Sequence, residues 1–204
     1  MTSPLLIGSG NRDKAAELRQ LLVGLPWEVV SLTDFPPAEE PEENQDTFED
    51  NALLKARYYG SKFCVACVAD DSGLEVDALG GAPGIYSARY AGPGCSYDDN
   101  NRKLLGALAA ASDDRRTARF VCCAAFIGLD GTEHVERGTI EGRIAASPHG
   151  VNGFGYDPLF IPEGMSLTFG ELDPAAKHSV SHRGRAFRQL RRYLESLVAH
   201  RYIS

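Results

Sequence analysis

Short apolar segments of strand length alternate with amphipathic segments in the first third of the chain. Leucines recur at helical spacing between Leu18 and Leu25, directly after an apolar strand that ends in a glycine loop. Later in the chain, two strand-like segments flank Asp130–Gly131, which is typical of a hairpin turn. This succession predicts a mixed sheet with helices packed against it. The predicted strands cover residues 4–7, 27–32, 63–69, 119–129 and 134–145, and the predicted helices include one that begins after Thr47, one at 98–111 and one at 182–199.

Length and composition limit the class of protein. The chain has 204 residues, 43% of them hydrophobic and 24% charged, which is typical of one globular unit. A formal net charge of −7 repels a phosphate backbone and argues against a nucleic-acid partner. No apolar stretch has the length of a membrane span, and no signal peptide is recognisable, so we expect no membrane partner. Five cysteines, an odd number, indicate free thiols and a cytoplasmic protein.

The segment from Gly8 to Lys14 predicts a site for an anion. It lies where a strand is followed by a helix, so unpaired backbone N–H groups and the positive end of the helix dipole meet there. The spacing is neither that of a Walker A loop nor that of a dinucleotide-binding loop, because Asp13 stands in place of the third glycine. Phosphate binding is therefore one interpretation, and a tight connection without a ligand is the other.

Two adjacent carboxylates, Asp70 and Asp71, follow the predicted strand 63–69. At a strand end they would lie at the carboxyl edge of the sheet, where α/β proteins form ligand crevices. Neighbouring carboxylates repel unless a cation lies near them, and Mg²⁺ prefers oxygen ligands and bridges phosphates. The alternative is an aspartate-rich turn in which a side chain caps the backbone.

Near the C-terminus, basic and aromatic residues predict recognition of a flat, polar ligand. Lys177, His182 and Arg183 cluster near the start of the last helix, where cations oppose the helix dipole unless an acceptor-rich group is bound. The segment Gly153–Pro158 places aromatic residues between glycines and offers a platform for a base to stack on. Ordinary core packing is the alternative for these aromatic residues.

Taken together, these segments resemble the inosine and xanthosine triphosphate pyrophosphatase family. The resemblance covers almost the whole chain. Two residues depart from the family pattern, Ser9 in place of Thr and Asp50 in place of Glu, and both keep the functional group. The matching segments are S-G-N-R-D-K at 9–14, E-E-N-Q-D-T-F-E-D-N-A-L-L-K-A at 42–56, A-D-D-S-G-L-E-V-D-A-L-G-G-A-P-G-I-Y-S-A-R-Y-A-G at 69–92, G-F-G-Y-D-P-L-F at 153–160 and S-H-R-G-R-A at 181–186.

The resemblance implies an α/β fold with a long mixed central sheet flanked by helices. It further implies that residues 1–204 form a single two-lobed domain with the active-site cleft between the lobes, a homodimer and a requirement for Mg²⁺. The implied reaction is hydrolysis of ITP, dITP and XTP to the nucleoside monophosphate and pyrophosphate. The two rival functions are a nucleotide-binding regulatory module without turnover and a pyrophosphatase of other nucleoside triphosphates.

Each site residue takes an expected role from the resemblance. Asp71 matches the general base, and Glu43 with Asp70 or Asp71 would hold the metal. The residues expected to bind the substrate are Ser9, Gly10, Asn11, Arg12, Asp13, Lys14 and Lys55 at the phosphates, Ser72, Phe154, Gly155, Tyr156 and Asp157 at the base and sugar, and Lys177, His182 and Arg183 at the purine edge.

Overall fold

The computed structural model describes residues 3–201, with side chains described up to residue 197. Six strands and five α-helices are present in these residues. The strands are β1 (Pro4–Ile7), β2 (Glu28–Ser31), β3 (Ala66–Val76), β4 (Thr117–Ile127), β5 (Glu133–Ile144) and β6 (Phe160–Pro162). The helices are α1 (Arg12–Leu21), α2 (Phe48–Phe63), α3 (Tyr97–Ala107), α4 (Pro174–Val180) and α5 (His182–Arg201).

The strands form one mixed sheet in the order β2-β1-β3-β4-β5-β6. Strand β1 is parallel to both β2 and β3, with Leu5 opposite Ala66 and Ile7 opposite Val68. Strand β6 is antiparallel to β5. The predicted fold class, a mixed sheet flanked by helices, is therefore confirmed. The short elements β6 and α4 were not predicted, because three and seven residues are too few for a clear periodicity.

The prediction that the third strand covers residues 63–69 and ends at Asp70 is wrong. Helix α2 continues to Phe63 and ends at Cys64, whose left-handed backbone (φ 51°) closes the helix. The strand then runs without interruption through Asp70 and Asp71 to Val76. It continues because Leu74 and Val76 are fully buried, and this burial outweighs the preference of aspartate for turns.

The chain divides into two compact units. Within the described residues, unit 1 takes in the chain up to Asp71, then 122–138 and the chain from Arg183 onwards. Unit 2 takes in residues 72–121 and 139–182. Strands β3, β4 and β5 each contribute residues to both units.

In unit 1, side chains alternate between two faces of the sheet. Leu5, Ile7 and Val68 belong to a core that includes residues of α1 and α5. Leu6 and Cys67 belong to a separate core with Tyr59 of α2 and Val65. Because successive strand residues point to opposite faces, Asp70 shares the α1–α5 face and Asp71 shares the α2 face.

In unit 2, a further core includes Tyr156 and Leu159 of the loop that joins β5 to β6. Its apolar residues include Leu74, Phe120 and Phe169. Hydrogen bonds hold the backbone of this loop: within it, His149 N–H donates to Pro158 O at 2.8 Å, and from beyond β6, Gly170 N–H donates to Asp157 O at 2.9 Å. This loop contains the glycine and aromatic residues that are predicted from the sequence to contact the base of the nucleotide.

None of the helices in the described part of the chain is both long enough and apolar enough to cross a membrane.

Candidate active site

The predicted phosphate loop connects β1 to α1 in unit 1. Asn11 is the N-cap of α1, and its Oδ1 accepts hydrogen bonds from the backbone N–H groups of Asp13 at 2.9 Å and Lys14 at 3.1 Å. Gly8 is required by close approach, since a Cβ atom there would lie 2.9 Å from Cys67 Sγ. Ser9 and Lys14 are half-buried, whereas Gly10, Arg12 and Asp13 are exposed. The loop is thus packed against β3 and α2 at Gly8 and is exposed to solvent at Gly10 and Arg12.

On the α1–α5 face, Asp70 joins a buried network of alternating charges. Its Oδ2 lies 3.4 Å from Lys14 Nζ and 3.3 Å from Arg183 Nε. Arg183 Nη1 also donates to Glu17 Oε2 at 2.5 Å. The Asp70 and Arg183 side chains are 0% and 3% exposed. Burial alone would lower the pKa of Arg183, but the charges of Asp70 and Glu17 outweigh it and raise the pKa.

On the α2 face, Asp71 shares one ammonium group with Glu43. Lys55 Nζ donates to Glu43 Oε1 at 2.8 Å and to Asp71 Oδ1 at 3.3 Å. Burial raises the pKa of Asp71, and the positive charges of Lys55 and Lys14 oppose that rise without cancelling it. Burial likewise lowers the pKa of Lys55, but Asp71 and Glu43 reverse this and raise it. Two carboxylates therefore share a single cation on this face.

This pair of carboxylates fits a divalent metal ion. Among residues 3–201, no group donates a hydrogen bond to the buried Oδ2 of Asp71. Glu43 and Asp71 already converge on one positive charge, which shows that both reach a common point. No group of three or more His, Cys, Asp or Glu suited to a metal occurs in the described chain. An ion bound here would therefore take its other ligands from water or substrate, as Mg²⁺ commonly does.

In unit 2, the loop at 153–157 forms an aromatic and charged cluster with α4. Lys177 Nζ donates to Asp157 Oδ2 at 2.7 Å and lies 4.9 Å from the centre of the Phe154 ring. Asp157 Oδ2 also accepts the Phe154 N–H at 2.8 Å, and a Cβ atom on Gly153 would overlap this carboxylate. The glycine therefore permits the tight turn that brings Phe154, Asp157 and Lys177 together.

The remaining residues of unit 2 that the sequence predicts for the site have the following contacts. The Tyr156 hydroxyl donates to Ser87 O at 2.9 Å, so this ring is part of the framework. The His182 ring stacks on Phe120, with the ring centres 4.6 Å apart and the planes 11° from parallel. Ser72 is half-buried in β3. Gly155 is positioned by its carbonyl, which accepts a hydrogen bond from the side chain of Asn101 at 3.0 Å.

Sequence reasoning missed two residues that support the site. Glu17 holds Arg183, and a signal for it existed, because Glu17 follows Lys14 by three residues and so lies on the same helix face. Asn101 holds the Gly155 carbonyl from 54 residues away in the chain, and no local pattern marks it.

The family model described as the Ham1 family matches residues 5–193. The chain belongs to the Ham1 family. Over 186 residues, this family member is 51% identical to a protein of an Exiguobacterium species named dITP/XTP pyrophosphatase, with 91% of this chain and 94% of that one covered. A protein of the same name from Nocardia farcinica is 48% identical over 197 residues, with 95% and 96% covered.

Solved structures of the Ham1 family have the same fold. A HAM1 protein from Coxiella burnetii superimposes with a TM-score of 0.87 at 39% sequence identity, covering 96% of this chain and all (100%) of that one. A dITP/XTP pyrophosphatase from Mycobacterium abscessus is 48% identical, with a TM-score of 0.75 and 92% and 98% covered.

Proposed function

We propose that this Ham1 family member hydrolyses non-standard purine nucleoside triphosphates, among them ITP, dITP and XTP, to the nucleoside monophosphate and pyrophosphate. The observation that carries the proposal is the charged cluster of unit 1, in which Lys14 and Lys55 pair with three carboxylates, those of Glu43, Asp70 and Asp71. The names of the relatives at 48–51% identity support the substrate class.

The triphosphate is assigned to unit 1. The loop lies at the N-terminus of α1, where the helix dipole favours an anion, and Lys14 and Lys55 supply two positive charges. These charges are local, which explains how a chain with a net charge of −7 could bind an anion without a basic surface. Arg12 is exposed in the first turn of α1 and is available to a phosphate.

We assign the metal to Glu43 and Asp71 and propose Mg²⁺ as the ion. When bound, Mg²⁺ neutralises phosphate charge and makes the phosphorus more susceptible to attack. Asp70 is left out of this site because it faces the opposite side of β3, where Lys14 and Arg183 already surround it. Of the two adjacent aspartates, we therefore propose Asp71 as the metal ligand.

Asp71 is the proposed general base. Its carboxylate would hold a water molecule and accept its proton as the oxygen attacks the α-phosphorus, and pyrophosphate would leave. Burial raises the pKa of Asp71, which makes its carboxylate a stronger base than that of an ordinary exposed aspartate. Lys14 and Lys55 would stabilise the negative charge on the phosphate oxygens in the transition state.

The purine is assigned to the aromatic cluster of unit 2. Phe154 offers a ring for stacking, and Lys177 and His182 are the proposed donors to the 6-keto oxygen. Adenine carries an amino group at that position, so these donors would be left without an acceptor, which disfavours ATP. A purine contact of Arg183, a homodimer and a cytoplasmic location stay predictions of the sequence.

A side-by-side assay of ITP, XTP, GTP and ATP tests the proposal, with Mg²⁺ and with excess chelator. We expect pyrophosphate as the first product, rapid turnover of ITP and XTP, slow turnover of ATP, and loss of activity on chelation. Release of orthophosphate in place of pyrophosphate would falsify attack at the α-phosphorus, and binding without turnover would indicate a regulatory module.

A further inference from the structure

The carboxylate of Glu40 lies directly on the phosphate loop. A Cβ atom placed on Gly10 would overlap Glu40 Oε1 and would lie 2.7 Å from Glu40 Cδ. The Glu40 side chain therefore fills the volume that any other residue at position 10 would occupy. Both residues belong to unit 1, and both are exposed, so the contact lies at the solvent side of the loop.

The charge of Glu40 also reaches the residue beneath the loop. Tyr59 packs under Gly8, since a Cβ atom there would lie 3.0 Å from Tyr59 Cδ2. Burial raises the pKa of the Tyr59 hydroxyl to about 12, and repulsion from the Glu40 carboxylate adds to this rise. Two separate observations thus place the Glu40 charge at the loop.

A carboxylate at this position resembles the ligand that we assign to the loop. The N-terminus of a helix favours any anion, whether it is a side-chain carboxylate or a phosphate group. Glu40 lies beside Gly10, one residue before the N-cap Asn11, so its charge and that of a phosphate bound at the loop would lie close together. A phosphate that approaches Gly10 must therefore either displace Glu40 or bind beside it against its repulsion.

We infer that Glu40 is an affinity-determining residue that holds a negative charge beside Gly10 of the phosphate loop and weakens the binding of every polyphosphate there. The inference rests on the proposed phosphate site. A substrate with three phosphates and a purine makes enough favourable contacts to outweigh this repulsion. Free pyrophosphate makes fewer contacts, so the repulsion reduces its affinity by a larger share. Glu40 would thus favour release of the pyrophosphate product.

The chain provides a matched control for this inference. Glu39 is the adjacent residue and is also exposed. Glu40, in contrast to Glu39, contacts Gly10. The variants Glu39→Gln and Glu40→Gln remove the same charge from the same segment. A general effect of net charge would appear in both variants, and an effect of contact with the loop would appear in Glu40→Gln alone.

Calorimetric titration of the full chain with inorganic tripolyphosphate and with pyrophosphate, in the presence of Mg²⁺, tests the inference. We expect Glu40→Gln to bind both anions more tightly than the wild type by about threefold to tenfold, and Glu39→Gln to change less than about twofold. Product inhibition by pyrophosphate should strengthen in Glu40→Gln by a similar factor.

The possible results separate this inference from the proposed function. If the wild type binds tripolyphosphate and Glu40→Gln binds it no more tightly than Glu39→Gln, only the role of Glu40 is overturned. Weaker binding in Glu40→Gln also overturns it, because Glu40 would then assist the ligand or its metal. If neither the wild type nor Glu40→Gln binds tripolyphosphate, the phosphate site itself is refuted, and the inference with it.

Discussion

Asp70 and Asp71 are neighbours in one strand, but their surroundings differ. Asp70 meets two cations, Lys14 and Arg183, and the second of these is also held by Glu17. Asp71 shares the single cation Lys55 with Glu43. The α1–α5 face thus places Asp70 beside two cations, and the α2 face places Asp71 beside an ammonium group that Glu43 also contacts. The comparison teaches that the chemistry of a carboxylate is decided by the helix that faces it, so the same residue type stabilises the fold on one face and is suited to react on the other.

The largest expected effect is on stability, and it belongs to the α1–α5 face. Asp70→Asn leaves buried Arg183 without its carboxylate partner, so we expect the free energy of unfolding to fall by about 3–5 kcal/mol. Asp71→Asn should lower it by less than about 1 kcal/mol, because burial disfavours the charged form of Asp71 in the first place. Urea unfolding at pH 7 measures both values, and equal losses would remove the distinction between the faces.

The next effect is on catalysis, and it belongs to the α2 face. Asp71→Asn keeps the size of the side chain but not its basicity, so we expect kcat for ITP to fall by about a hundredfold or more. Binding of tripolyphosphate, measured by calorimetry, should stay largely intact. A folded Asp71→Asn variant with nearly full turnover would show that another group accepts the proton.

Purine selectivity extends the comparison to two neighbours in the chain, His182 and Arg183. Loss of one donor to the 6-keto oxygen costs about 1–3 kcal/mol, so His182→Ala or Lys177→Met should reduce kcat/KM for ITP by roughly fivefold to 150-fold and affect ATP much less. Arg183 donates to Asp70 and Glu17. Because of these contacts, we expect Arg183→Ala to destabilise the protein and to lower kcat/KM for ITP and for ATP by similar factors. A selective loss on ITP in Arg183→Ala would instead support the purine contact that the sequence predicts.

The smallest expected effect is on stability, and it concerns an ion pair that is exposed to solvent, where pairing acts without burial. Arg57 donates to both oxygens of Glu133, at 2.7 and 2.6 Å, but these side chains are 52% and 39% exposed. Solvent screening limits such a pair, so Arg57→Met should lower the free energy of unfolding by less than about 1 kcal/mol at pH 7.

The pH dependence of this pair has a defined sign. The hydrogen bond from Arg57 lowers the pKa of Glu133 below its ordinary value of 4.5. The stabilisation is therefore present above pH 4.5 and is lost as the pH falls through the lowered pKa of the folded state. The wild type and Arg57→Met should converge in stability once the pH is below the lowered pKa of Glu133, and a difference that persists there would mean that packing of the Arg57 stem dominates.

The sequence by itself determined the order of the elements and most of the local structure of the site. The strand Pro4–Ile7, the start of α2 after Thr47 and the hairpin around Asp130–Gly131 depend on periodicity, capping and turn chemistry, which act between residues close in the chain. The matching segments also indicated the family, which the comparison confirms.

The tertiary structure decided what the two aspartates face. No local rule shows that β3 continues through Asp70, because the burial of Leu74 and Val76 comes from packing in unit 2. The partner of Asp70 is likewise a distant residue: Arg183 lies 113 positions away in the chain. Ion pairs over such separations form because the sheet and helices bring the residues together, and a periodic pattern carries no information about which helix covers which face.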